Sequence, residues 1–200
     1  LPSRLALSLP LLLVCACATA SRPRVVVTLA ASEWPSDTQV HWYDIEGDTA
    51  PQLRTSLDAQ GPLDLHGERH DAYTAWHVTW RFPFVEGEAG CTTGPVETTV
   101  RANITLPRWR GFDGQDALTK RWRRYLEALK NHESGHREMG FRAAADIAQQ
   151  LPDLPPQPTC EAAEAAANAV ALHVLEQHRQ YDLDYDAKTD HGASQGALFP

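Results

Sequence analysis

The sequence predicts an α+β fold, with a mostly antiparallel sheet in the N-terminal half packed against a long helix and a second, C-terminal helix. Three observations carry this expectation. Segments of the N-terminal half alternate apolar and polar residues with period two. From about Gln115 the period changes to steps of three and four. Pro152, Pro155, Pro156 and Pro158 then forbid a continuous helix and divide the second half in two.

Val25 to Leu29 is a β-branched run. Val40 and Trp42 alternate with His41 and Tyr43 ahead of the turn signal Glu46-Gly47-Asp48. Ala50 to Ala59 reads as a short helix with Leu53 and Leu57 on one side, ended by Gly61-Pro62. The clearest strand has Thr74, Trp76, Val78, Trp80 and Phe82 on one face, and Tyr73, Ala75, His77, Thr79 and Arg81 on the other. Glu86 to Gly94 is expected as a loop holding Cys91. Val100, Ala102, Ile104 and Leu106 form a further strand, which Pro107 is expected to stop. One wet face per strand argues for antiparallel pairing.

Leu118, Trp122, Tyr125, Leu129, His132, His136, Gly140, Ala143, Ile147 and Leu151 then mark one face of a long helix. A second helix is expected from about Cys160 to Tyr181, with Thr159 as its N-cap. Asp182 to Pro200 reads as a polar tail without periodicity. With neither a repeat nor a linker, residues 21–200 form one domain.

Apolar residues make up 42% of the chain, an ordinary globular share, and the formal charge is −8. That balance excludes a nucleic-acid partner, since a phosphate backbone requires a basic face. Arg121, Arg123, Arg124 and Lys130 cluster on the long helix and read as a solvated face. Residues 1–20 read as an export signal: Arg4 precedes an apolar run from Leu5 to Val14 that is too short to span a membrane. Val14-Cys15-Ala16-Cys17 resembles a lipobox that would lipidate Cys17, giving a membrane tether. Ala18-Thr19-Ala20 offers ordinary cleavage instead. Either way the chain is expected outside the cytoplasm, periplasmic or tethered, otherwise secreted, and monomeric. Cys91 and Cys160 remain, and two cysteines in an exported chain are expected to pair.

His132-Glu133-Ser134-Gly135-His136 carries the chemistry. Histidines four apart on a helix project from one face and can bind one zinc ion, with the intervening glutamate beside them as general base. With 9 histidines in the chain, chance supplies this pattern only about 0.02 times in such a composition. The histidines also continue the apolar stripe, so they face inward. The third ligand is less legible. Arg142 stands where an elongated metzincin pattern needs histidine, and Glu161, Glu164 and Glu176 are formal candidates on the second helix. Asp186 and His191 are candidates in the tail. The stripe of Trp76, Trp80 and Phe82 reads as core, Asn103-Ile104-Thr105 as an unused sequon, and His173 and His178 as satisfied or exposed histidines.

Several blocks together carry a resemblance. They are Tyr43-Asp44-Ile45-Glu46-Gly47, Gly61-Pro62, Thr74-Ala75-Trp76, Cys91, Leu106-Pro107-Arg108-Trp109, Asn131 to His136, Cys160 and Asn168. The tail adds Tyr185-Asp186, Thr189, His191-Gly192 and Gln195-Gly196. In this order they resemble a bacterial family of secreted zinc-dependent peptidases of unknown biological role. The resemblance implies a zincin-like fold and favours His132, His136 and His191 as zinc ligands, with Glu133 as general base. Asp186 is the rival third ligand, and Tyr185 is a candidate donor to the tetrahedral oxyanion. The expected activity is zinc-dependent hydrolysis of peptide bonds in the cell envelope, on a peptide, protein or peptidoglycan-stem substrate paired along a strand. The alternatives are a non-catalytic envelope lipoprotein or binding module with a structural zinc site, and a peptidase inhibited by its own tail.

Overall fold

The computed structural model describes residues 37–110, 114 and 116–199. The signal segment, Cys17 and the Val25–Leu29 run lie outside the described residues. The elements in chain order are β1 (Thr38–Ile45), α1 (Ala50–Gln60), β2 (Tyr73–Arg81), β3 (Phe84–Gly87), β4 (Gly90–Thr93), β5 (Glu97–Trp109), α2 (Ala117–Gln150) and α3 (Cys160–Thr189). The architecture is mixed α+β, with the strands in the N-terminal half and two long helices after them.

The central sheet has the order β1-β5-β2. β2 pairs antiparallel with β5, as the period-two pattern predicts, whereas β1 pairs with β5 in parallel. The long connection from β1 to β5 leaves room for the crossover that parallel pairing requires. β5 also runs through Pro107, where the sequence suggested an end. Pairing with β2 stops at Thr105, so Pro107 has a strand on one side only and its missing N–H interrupts no second ladder. The segment expected as a loop is a hairpin, β3 with β4, whose Cys91 N–H and C=O also pair with Gln157.

Val100, Ala102, Ile104 and Leu106 are buried against α2, while Arg101 and Asn103 face water. The helix starts on Asp116, whose side chain accepts from the Thr119 N–H at 2.7 Å. Packing rather than capping dominates its stability. Trp122, Leu129 and Ile147 are each at most 3% exposed, and such burial contributes about 1.5–3 kcal/mol per side chain. Lys130 is buried as well, unlike the exposed Arg121, Arg123 and Arg124. The core forms two clusters along α2. One gathers Ile45, Leu53, Leu57, Trp122, Tyr125, Leu129 and Phe199, and the other Val78, Ala143, Ile147, Ala171 and Val174. Trp76, Trp80 and Phe82 pack against the second, as their stripe predicts.

Asp71 ties the loop before β2 to three elements. Its carboxylate accepts from Arg54 on α1 and from the Tyr125 hydroxyl on α2 at 2.7 Å, and its carbonyl accepts from Tyr43 on β1 at 2.6 Å. α3 begins on the Thr159 cap, as expected, but continues past Tyr181 to Thr189. The segment read as a tail is therefore helical for its first eight residues.

Cys91 and Cys160 are joined, with Cα atoms 5.1 Å apart and a sequence separation of 69. The bridge fixes the β3–β4 hairpin to the start of α3. In the chain-entropy account a loop of this length contributes about 4 kcal/mol. Replacing both cysteines by serine should lower the unfolding free energy by about that amount in urea denaturation. A loss below about 1 kcal/mol would show that the bridge stabilises little.

Candidate metal centre

Two helices supply the centre. His132 and His136 lie on the inward face of α2 and are 3% and 7% exposed. Opposite them, Asp182 and Asp186 lie one turn apart on α3. His132 Nε2 and His136 Nε2 are 3.2 Å apart, and Asp186 Oδ1 is 3.1 Å from the first and 3.0 Å from the second. The three atoms form a nearly equilateral triangle. Tetrahedral zinc, with bonds of about 2.0–2.1 Å, holds neighbouring ligand atoms about 3.3 Å apart. The donor types and their spacing thus fit zinc, and the three residues are a possible metal-binding group.

The other imidazole nitrogens are also engaged. His136 Nδ1 donates to Asp182 Oδ1 at 2.8 Å, and His132 Nδ1 donates to Gln195 Oε1 at 3.0 Å. Outer partners of this kind orient metal-binding histidines. Asp182 is held in turn by Trp76 of β2, whose indole N–H donates to its second oxygen at 3.1 Å.

The electrostatics favour positive charge. Burial opposes charge on His136, yet hydrogen bonds to Asp182 and Asp186 overcome it and push its pKa up to about 10. Burial likewise works to raise the Asp186 carboxyl, but its bonds to His132 and His136 hold it well below the usual range. Glu133, 3% exposed, is raised by burial against the opposing pull of His136, Thr74 and His132. Its Oε2 accepts from the Thr74 hydroxyl at 2.6 Å. Thr74 lies on the inward face of β2, two residues before Trp76.

Asp186, rather than His191, completes the triangle. The His191 side chain is 64% exposed, and its Nδ1 stands 3.8 Å from Asp186 Oδ1, outside the three-residue group. Its ring lies 5.9 Å from that of His70. The cause is the extension of α3: Asp186 is still helical and faces α2, while Asp190 and His191 adopt left-handed backbone after the helix ends and the His191 side chain stays exposed. Glu161, Glu164 and Glu176 are exposed. His173 is exposed, and His178 is buried with its Nε2 2.7 Å from Asp146.

Tyr185, expected as the oxyanion donor, stands beside His132. Its ring stacks on His132 at 5.1 Å, and its hydroxyl accepts from Gln195 Nε2 at 3.0 Å. The stacking depends on Gly135, because any Cβ there would run into the Tyr185 ring. Sequence reasoning assigned no role to Asp182, Thr74 or Gln195. Thr74 and Gln195 do fall in the blocks that carried the resemblance, and Asp182 stands four residues before Asp186.

Asp186→Ala should weaken zinc binding by more than the about 10–100-fold that losing an outer partner costs. His191→Ala should leave it unchanged. Competition with a chromophoric chelator measures both, and the reverse order would return the third position to His191.

The family described as "Bacterial protein of unknown function (DUF922)" matches residues 40–192. No curated protein and no solved structure matches the chain. The matched span contains His132, Glu133, His136, Asp182, Asp186 and His191, and it ends before Gln195. Covering more than three quarters of the sequence, the match makes the chain a member of this bacterial family of unknown function.

Proposed function

We propose that the chain is a zinc-dependent metallopeptidase of the bacterial cell envelope, with a zincin-like arrangement of sheet and active-site helix. One observation carries this reading: the triangle of His132, His136 and Asp186 lies beside the buried carboxylate of the residue next to His132. Zinc, when bound, acts as a Lewis acid and makes a hydroxide nucleophile available near neutral pH. Glu133 then has the two proton tasks of amide hydrolysis. It accepts the proton that the attacking water gives up and returns it to the leaving amine. Thr74 fixes its Oε2, so the carboxylate is held in place before substrate arrives.

The free edge of β2 supports a peptide substrate. Among the described strands β2 pairs only with β5, so its other edge has backbone groups to offer an extended chain. The disulfide supports export, since such bridges persist in oxidising compartments. The signal-like first twenty residues agree with it, and Cys17 remains the candidate lipid anchor. A non-catalytic module with structural zinc would need a fourth protein ligand. Three described residues form the group, which favours catalysis.

Glu133→Gln keeps the shape of the side chain and removes the base. Bound zinc should equal that of the wild type, while hydrolysis of denatured casein and envelope peptides falls by about 10²–10⁴-fold. An undiminished rate in the variant would remove Glu133 from the mechanism. A zinc-loaded wild type inactive across a broad panel would turn the reading to the structural alternative.

A further inference from the structure

We infer that Gln195 is a positioning residue for the metal centre: it holds His132 in the tautomer that presents Nε2 to a cation, from a tail locked in place by Phe199. The inference rests on the metal-centre reading of His132, His136 and Asp186.

The amide is used at both ends. Its Nε2 donates to the Tyr185 hydroxyl at 3.0 Å, its Oε1 faces His132 Nδ1, also at 3.0 Å, and the same hydroxyl lies 3.3 Å from Oε1. An acceptor at Nδ1 places the imidazole proton there and leaves the Nε2 lone pair free for a cation. Tyr185, stacked on the same ring with an interplanar angle of 14°, prevents it from rotating. The two histidines are thus held differently. His136 leans on a carboxylate within α3, whereas His132 depends on a neutral amide delivered from beyond the helix.

The path of the tail explains how a side chain on an exposed turn can be so specific. After the left-handed Asp190 and His191, Gly192 has φ +83° and lies against the imidazole, where an added Cβ would stand 2.8 Å from His132 Cγ. The Gly192 N–H donates to Thr189 Oγ1 at 3.2 Å, and its carbonyl accepts from Gln195 at 2.9 Å and Ala197 at 3.0 Å. Phe199 then enters the aromatic core, with ring centroids 5.4 Å from Trp122 and 5.1 Å from Tyr125. It is 3% exposed, while its neighbour Leu198 is 71% exposed. The tail is therefore pinned at both ends, by α3 before Gly192 and by the core at Phe199, with Gln195 between.

The test is zinc affinity of the full chain, measured with a chromophoric chelator, together with the visible spectrum of the cobalt(II) form. Gln195→Leu keeps the bulk and removes the acceptor. It should bind zinc about 10–100-fold more weakly, with an altered cobalt spectrum and an unchanged melting temperature. Gln195→Glu retains the acceptor and should recover most of the affinity, which a merely structural role would not require. Phe199→Ala, assayed at a temperature where it stays folded, should weaken zinc binding in the same direction. Wild-type affinity in Gln195→Leu, or no recovery in Gln195→Glu, would overturn the inference alone. Absence of zinc binding by the wild type would overturn the metal-centre reading and this inference with it.

Discussion

Between Leu129 and Ala143 the inward face of α2 turns from apolar to polar, so that His132, Glu133 and His136 enter the interior between the two hydrophobic clusters. Unpaired polar groups in such a place cost about 1–3 kcal/mol each, and more when charged. The rest of the structure can be understood as the means of satisfying this band. Thr74 comes from β2, Asp182 and Asp186 from α3, and Gln195 from the tail. Between them they engage Glu133 and every nitrogen of the two imidazoles. A cation held by His132, His136 and Asp186 would complete an arrangement that already opposes its charges correctly.

This solution requires α3 to be as long as it is. His132 and His136 are one turn apart on α2, and Asp182 and Asp186 are one turn apart on α3, so the pairs face each other across the helix interface. Ending α3 at Tyr181 would leave both carboxylates without a fixed position. Close approach requires Gly135 as well. A glycine inside a helix costs about 1 kcal/mol relative to alanine, but here it admits the Tyr185 ring that packs on His132. The left-handed turn at Asp190 and His191 then brings the chain back over His132 instead of away into solvent.

The inward stripe of α2, the main strands and the Thr159 N-cap of α3 were legible because apolar periodicity and a capping residue record them directly. The end of α3 was not, and the reason is physical. From Ala171 the inward stripe continues through Val174, Leu175 and His178 to Asp182, Tyr185, Asp186 and Thr189, still at steps of three and four. Its last members are polar because they serve the centre, and a search for apolar residues cannot see a helix face whose partners are imidazoles. The same blindness left Asp186 and His191 side by side in an apparent tail, and the resemblance then favoured His191 as the ligand. The parallel β1–β5 pairing was hidden for a different reason. A strand with one wet face alternates in the same way whichever direction its neighbour runs.

β2 joins the centre to the surface. Thr74 and Trp76 are successive inward residues on it, one holding Glu133 and the other holding Asp182, which holds His136. A slip of one residue would turn both side chains to the opposite face. That slip is prevented by all nine residues of the strand pairing with β5 and by Val78, 3% exposed in the core between the helices. The position of the general base in the proposed reaction is therefore set by strand register, a property of the whole sheet. The free edge of the same strand is where an extended substrate would pair. Substrate backbone and the side chains that hold Glu133 and Asp182 would then share one rigid element, so chain binding at the edge would fix the reacting bond relative to Glu133 without moving the centre.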